Sequence, residues 1–268
     1  MKLTIVDLEK KKAGEKELPS QFNEEIRPDL IKRAVLTLQS SNRQKYGTDP
    51  RAGKKASALL SKRRRKYRGM YGHGISRTPR KIMSRRGTQL NWEGAFAPNT
   101  VGGRQAHPPK AEKNWERKIN KKERRKAIRS AMAATLIKDL VKERGHWVPE
   151  DYPFIIDSKV EDLDKTKKVK DLLGKLGFEK ELERGTKKKV RAGKGKLRGR
   201  KYKKKTSILI VVSKDCKLLR AGKNIPGIDI IKVNELNAEK LAPGAAAGRA
   251  TLWSADSIEK LNKDKLFM

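Results

Sequence analysis

The sequence predicts an α/β protein: a single three-layer domain with a mostly parallel sheet flanked by helices, plus a long extended basic loop. Three observations carry this. Short apolar runs of strand length alternate with segments whose apolar residues recur at helical spacing, the order of a parallel sheet covered by helices. One run, SILIVVS at 207–213, is continuously apolar and rich in β-branched residues, the pattern of a strand buried on both faces. Charge, finally, is segregated. The 268 residues hold 68 Lys/Arg against 31 Asp/Glu, a net of +37. Residues 41–110 hold 18 basic and 2 acidic side chains, residues 111–145 hold 12 and 5, and residues 184–206 hold 13 and none. The rest is within one charge of neutral. The expected organisation is a globular body, 1–40 and 111–268, with a basic insert at 184–206 and a basic loop at 41–110.

LTIVDL at 3–8 reads as a first strand. A helix from about Asn23 to Ser40 follows, with Pro28 in its first turns and Ile26, Leu30, Ile31, Ala34, Val35 and Leu38 on one face. Residues 116–144 read as one long helix. Ile128, Met132, Leu136 and Leu140 recur every four residues, and Gly145 is a stop signal. The first half of that helix, ERKINKKERRK, is so charged that it is expected to leave the body. YPFIID (152–157) is the next strand, and KTKKVKDLLGKLG (165–177) a helix closed by a C-terminal glycine. After SILIVVS, Leu218 and Leu219 suggest a short helix, IDIIKV (228–233) a strand and NAEKLAPG (237–244) a helical turn. GRATLW (248–253) is the last strand and SADSIEKLNK the last helix. Ser254 is placed to cap it, with Ser257 where a capping box has Glu.

A net charge of this size implies a polyanionic partner. No run of 18 apolar residues exists to span a bilayer, and MKLTIVDLEK lacks the features of a signal peptide. No basic stretch has the apolar face of a membrane-surface helix. Cys216 is the single cysteine, which suits a reducing compartment. GTDPRAGKKAS (47–57) imitates a P-loop, but five residues separate Gly47 from Gly53 and Lys54 is followed by Lys. AGKGKLRG (192–199) imitates a dinucleotide glycine motif without its spacing or preceding strand. His73, His107, His146 and Cys216 show no metal-ligand spacing.

The loop has six aliphatic Ile, Leu or Val among residues 41–110: Leu59, Leu60, Ile75, Ile82, Leu90 and Val101. Burial at that density does not offset ordering entropy. Yet Tyr46, Tyr67, Tyr71, Trp92 and Phe96 recur through it, interleaved with glycine and arginine. Arginine forks onto phosphate, glycine allows close backbone approach and aromatics stack on splayed bases. Two readings stand: a disordered basic linker, or an extended segment that orders on folded RNA. The insert RGTKKKVRAGKGKLRGRKYKKKT (184–206) reads as a second RNA contact or as a solvated basic loop.

The wording YRGMYGHGISRTPR, then FAPNTVGGRQAHPP, then KINKKERRKAIRSAM resembles the large-subunit ribosomal protein L-four family in its archaeal and eukaryotic form, once called L-one-e. The resemblance covers nearly the whole chain, and its end at Met268, without the eukaryotic extension, favours the archaeal type. It implies a non-enzymatic constituent of the large subunit in the cytoplasmic ribosome. That constituent binds large-subunit (23S) rRNA, acts early in assembly and lends a loop tip to the wall of the peptide exit tunnel. The L-twenty-two protein would lie opposite, near the constriction. It implies no cofactor, metal, small-molecule substrate or membrane. The tip would be Tyr67, Gly69, Met70, Tyr71, Gly72, His73, Gly74 and Ile75, which match the bacterial PWRQKGTGRAR-like stretch only in part. The expected phosphate contacts near it are Arg63, Arg64, Arg65, Lys66 and Arg68. Arg43, Lys54, Lys55, Arg77, Arg80, Lys81, Arg85, Arg86 and Arg104 extend them along both limbs, with Trp92 and His107 on the returning limb. Lys121, Lys122, Arg124 and Arg125 of the basic helix, and Lys196, Arg198 and Arg200 of the insert, complete the expected surface. An RNA-modifying enzyme and a general nucleic-acid binder are the alternatives; the enzyme would need a glycine-rich turn after a strand, which is missing.

Overall fold

The run SILIVVS supplies the interior of the sheet. The computed structural model describes residues 1–66 and 69–268. Tyr67 and Arg68, assigned above to the tip and to a phosphate contact, lie outside the described residues. In chain order the elements are β1 (Lys2–Val6), β2 (Lys12–Glu17), α1 (Pro28–Ser41), β3 (Arg80–Arg86), β4 (Gln89–Gly94), α2 (Lys121–Leu136) and α3 (Lys138–Glu143). Next come β5 (Ile155–Ile156), α4 (Thr166–Lys175), α5 (Glu179–Thr186), β6 (Lys188–Val190), β7 (Tyr202–Lys204) and β8 (Leu209–Val212). α6 (Lys217–Gly222), β9 (Asp229–Lys232), α7 (Ala238–Leu241), β10 (Thr251–Ser254) and α8 (Ala255–Lys263) finish the chain. They form two compact units: a body of Met1–Asn42 with Glu116–Met268, and a loop unit of Arg43–Trp115.

In the body, six strands run in the order β2-β1-β5-β10-β8-β9. Only β2 is antiparallel to its neighbour. Alternate residues of β8 enter different layers. Leu209 and Val211 join α1, α2 and α8 through Ile31, Val35, Met132 and Ile258. Ile210 and Val212 join α4 and α6 through Val169, Leu173 and Leu218. The period-2 alternation of a strand thus serves two cores at once, and the mostly parallel, helix-flanked sheet is as the sequence predicts. Ser254 caps α8, its Oγ accepting the Ser257 N–H at 3.2 Å. The same Oγ donates to buried Glu161 at 2.7 Å.

Several expectations need correction. β2 (KAGEKE) carries no apolar alternation; it forms as an exposed edge strand, and its charges suit an edge. α1 starts at Pro28, later than expected, because residues 20–23 form a 3-10 turn that buries Phe22 edge-on to Trp253 at 5.0 Å. The long helix breaks at Ile137 (φ −86°, ψ 104°), where the Tyr152 hydroxyl takes the Thr135 carbonyl that a continuous helix would use. It also begins only at Lys121, residues 116–120 being non-helical, and its basic first turns do not leave the body. Glu123 pairs with Arg33 at 3.0 Å, and Glu24 with Arg129 at 2.8 Å and Lys126 at 3.6 Å. α5 is an additional helix, and the basic insert is built on a β6–β7 hairpin. The loop unit is not wholly extended either, since β3 and β4 pair as a twisted hairpin with a bulge between Ile82 and Ser84.

Candidate nucleic-acid interface

The loop unit is held by cation–aromatic contacts rather than by a core. At its base the Arg43 guanidinium lies 3.9 Å from the Trp115 ring centroid, with Lys113 Nζ at 4.4 Å. Tyr46 stacks on Trp115 at 5.7 Å and 16°. The two limbs cross where Thr48 N–H donates to Pro109 O at 3.0 Å. Gly53, at φ +72°, lies so close to the Gly103 carbonyl that any Cβ there would collide with backbone. Further out, His73 meets Trp92 edge-on at 6.2 Å, and Arg77 donates to the Tyr71 hydroxyl at 3.3 Å. Arg80 Nη2 holds Ser76 through its carbonyl and hydroxyl at 3.2 and 3.0 Å.

Among the described residues of this unit, only Met70 and Ala95 are buried apolar residues. A buried side chain such as Met contributes about 1.5–3 kcal/mol, and each ring contact about 0.5–1.5 kcal/mol. Ordering a backbone costs about 1–2 kcal/mol per residue. Over Arg43–Trp115 the entropic cost is larger by an order of magnitude.

The expected contact residues mostly face outward. Arg43, Lys54, Lys55, Arg63, Arg64, Arg65, Lys66, Arg77, Arg85, Arg86 and His107 are exposed; Arg80, Lys81, Trp92 and Arg104 are half-buried. Of the tip, Tyr71, Gly72, His73 and Gly74 are exposed and Ile75 is half-buried, whereas Gly69 and Met70 point into the unit. On the body, Lys121, Lys122 and Arg124 are exposed at the start of α2, and Arg125 is half-buried, donating to the Met268 carbonyl. Lys196, Arg198 and Arg200 are exposed in the turn joining β6 to β7. Sequence reasoning missed Trp115 and Lys113; an aromatic inside the charged run EKNWERK was the available signal.

It also missed the root of the basic hairpin, which is a buried charge cluster. Glu181 of α5 accepts from His146 Nδ1 at 2.8 Å, Trp147 N–H at 3.0 Å, Ser207 Oγ at 2.9 Å and Arg184 Nε at 2.8 Å. Arg184 reaches on to the Thr206 carbonyl at 2.7 Å. Beside it Arg249, fully buried, donates to Ser207 O at 2.7 Å and pairs with Asp229 at 2.8 Å. Burial opposes the Glu181 charge, but hydrogen bonds from Arg184, His146 and Trp147 outweigh it and hold its pKa at about 2. Burial pushes the His146 imidazole down, against the pull of Glu181.

Both shifts have the same sign for stability. The unfolded chain takes up a proton at His146 below its ordinary 6.5, and at Glu181 below its ordinary 4.5, where the folded chain resists. Stability is therefore intact at neutral pH. It falls as pH drops through these values, with about 3 kcal/mol from Glu181 lost between pH 4.5 and 2. Denaturant midpoints measured from pH 7 to 3 should fall steadily. A flat profile would show that the cluster does not set acid stability.

Among the described residues no group of His, Cys, Asp or Glu is placed to hold a metal ion. No helix among the described residues is long and apolar enough to cross a membrane.

Residues 16–264 match the family model described as Ribosomal protein L4/L1 family. The chain is 52% identical over 268 residues to the large ribosomal subunit protein uL4 of Nanoarchaeum equitans, covering all of both chains. It is 46% identical over 266 residues to the uL4 protein of Methanocaldococcus jannaschii (98% of this chain, 99% of the relative). Against that of Archaeoglobus fulgidus it is 43% identical over 264 residues, again 98% and 99%. A match of this extent, on a helix-flanked parallel sheet with an arginine- and aromatic-rich loop unit, decides the assignment: the chain belongs to the ribosomal protein L4/L1 family, in its archaeal form.

Proposed function

We propose that this chain is a structural, non-catalytic constituent of the cytoplasmic large ribosomal subunit, bound to large-subunit rRNA mainly through the loop unit. One observation carries the reading. A unit with 19 Lys/Arg, 3 acids and almost no buried apolar surface has outward-facing cations and aromatics in place of a core. RNA supplies what the unit lacks: phosphates for the guanidinium groups, base faces for the rings, and counterion release as driving force. Folding on RNA would let the loop compact rRNA early in assembly. The same reading puts the loop tip in the wall of the exit tunnel, opposite the L-twenty-two protein. Among the described residues of the tip, Tyr71, Gly72, His73 and Gly74 are then the exposed ones that can face the lumen, because Met70 is turned inward at 2% exposure. The body, 1–40 and 111–268, is the folded platform from which loop 41–110 and insert 184–206 reach RNA.

Limited proteolysis of the full chain, alone and with large-subunit rRNA, tests this. Cuts within 45–105 should be fast in the free protein and suppressed by rRNA, with the body surviving both conditions. A segment that resists protease without RNA would have its own stable fold and would sink the coupled-folding reading.

A further inference from the structure

Trp147 is 59% exposed on the body, a large aromatic surface left to water. It is also held firmly. Its N–H donates to the buried Glu181 carboxylate, the preceding His146 is buried, and the following Val148 packs on the core. Lys180 Nζ stands 5.6 Å from the ring centroid. The same Glu181 accepts from Ser207, and its partner Arg184 holds the Thr206 carbonyl. Thr186 and Thr206–Ser207 are the two roots of the basic hairpin, which carries 12 Lys/Arg and no acid between residues 187 and 206. A single buried carboxylate therefore fixes an exposed aromatic beside both ends of a polycationic arm. The arm has its own exposed aromatic, Tyr202, flanked by Lys188 and Lys201 at 5.8 and 5.6 Å.

We propose that Trp147 and the root of this hairpin form a second RNA-binding site, on the body and separate in sequence from the loop. Trp147 stacks on an unpaired base, Lys180 neutralises the adjoining phosphate, and the strand continues along the hairpin. Charge selects the occupant: an apolar protein surface would suit the ring but not 12 adjoining cations, whereas single-stranded RNA suits both. The inference rests on the reading that the partner is rRNA, and adds where on the body a base is gripped.

The test uses full-length chain and transcribed fragments of large-subunit rRNA, with binding measured over a salt series. Trp147→Ala should weaken binding to one or a few fragments about tenfold, a stacking-sized loss. Its salt slope should not change, because no charge is removed. Trp147→Phe should bind nearly as well as the parent. Lys203→Ala with Lys204→Ala should instead lower the slope, by about one unit per lost phosphate contact. If Trp147→Ala binds every fragment as the parent does, this site is overturned while rRNA binding by the loop stands. If the parent itself does not prefer rRNA to duplex DNA, the broader reading fails and takes this one with it. Ultraviolet cross-linking of assembled subunits should give a nucleotide adduct at Trp147; a cross-link there to protein alone would also overturn the site.

Discussion

Replacing Glu181 by alanine should lower the unfolding free energy of the body by about 3–5 kcal/mol, a third or more of what a domain usually has. The carboxylate is fully buried and receives hydrogen bonds from four residues. Without it, Arg184 becomes a partly buried cation with no counter-charge, the Trp147 N–H loses its acceptor, and the Ser207 hydroxyl keeps only the main-chain carbonyl of residue 181 at 3.4 Å. Removing one partner of such a cluster costs more than the cluster contributes, because the remaining charge stays in place. Glu181→Gln should rescue little, since it removes the charge opposite Arg184, and in either orientation its amide NH2 would meet an Arg184 N–H that can only donate. Adding Arg184→Ala to Glu181→Ala should recover part of the loss, because the stranded cation is then gone. Urea denaturation of the parent, Glu181→Ala, Arg184→Ala and the double variant makes the double-mutant cycle. A cost below about 1 kcal/mol for Glu181→Ala, the level of a surface pair, would mean the cluster is solvated and does not anchor the hairpin.

The segments legible in the sequence are those whose burial has a period. β8 showed itself by an unbroken apolar run, α1 by apolar residues on one face, α4 by its closing glycine and α8 by its serine cap. The segments that were not legible owe their place to partners distant in sequence. α5 turns Glu181 and Gly185 inward, so its buried face is partly polar and gives no hydrophobic stripe. β2 is fixed by backbone pairing to β1 and by Lys16, whose Nζ donates to the Ala255 carbonyl at 2.8 Å and pairs with Glu259 at 2.6 Å. The break at Ile137 depends on Tyr152, fifteen residues on. The interface divides in the same way. Its chemistry was legible because arginine, glycine and aromatic residues in a stretch poor in aliphatics have few other uses. Its geometry was not. The contact of Tyr46 with Trp115 spans the whole loop, and no local pattern announces it. Trp147 has no sequence signature at all; the hydrogen bond of its backbone to Glu181, the buried His146 before it and Val148 packed on the core after it mark it as held.

Excising Arg43–Trp115 and joining Asn42 to Glu116 by a flexible linker of about ten residues should leave the body folded. It should also cost on the order of a thousandfold or more in rRNA affinity at physiological salt. The body keeps its whole sheet and both apolar layers, since every residue of the two core clusters lies outside the excised segment. Its thermal unfolding should remain cooperative. The affinity loss follows from charge. If about half of the 19 basic side chains of the loop unit meet phosphates, the slope of log affinity against log salt falls by about 6–9. Removing the β6–β7 hairpin, with fewer cations, should lower the slope by less. The order of the two deletions is the informative result. A larger effect from the hairpin would transfer the main RNA contact to the body and make the loop a secondary element. A truncated chain that binds within about twofold of the parent would leave the loop's cations with no partner, and the self-repulsion of so basic a unit would need another explanation.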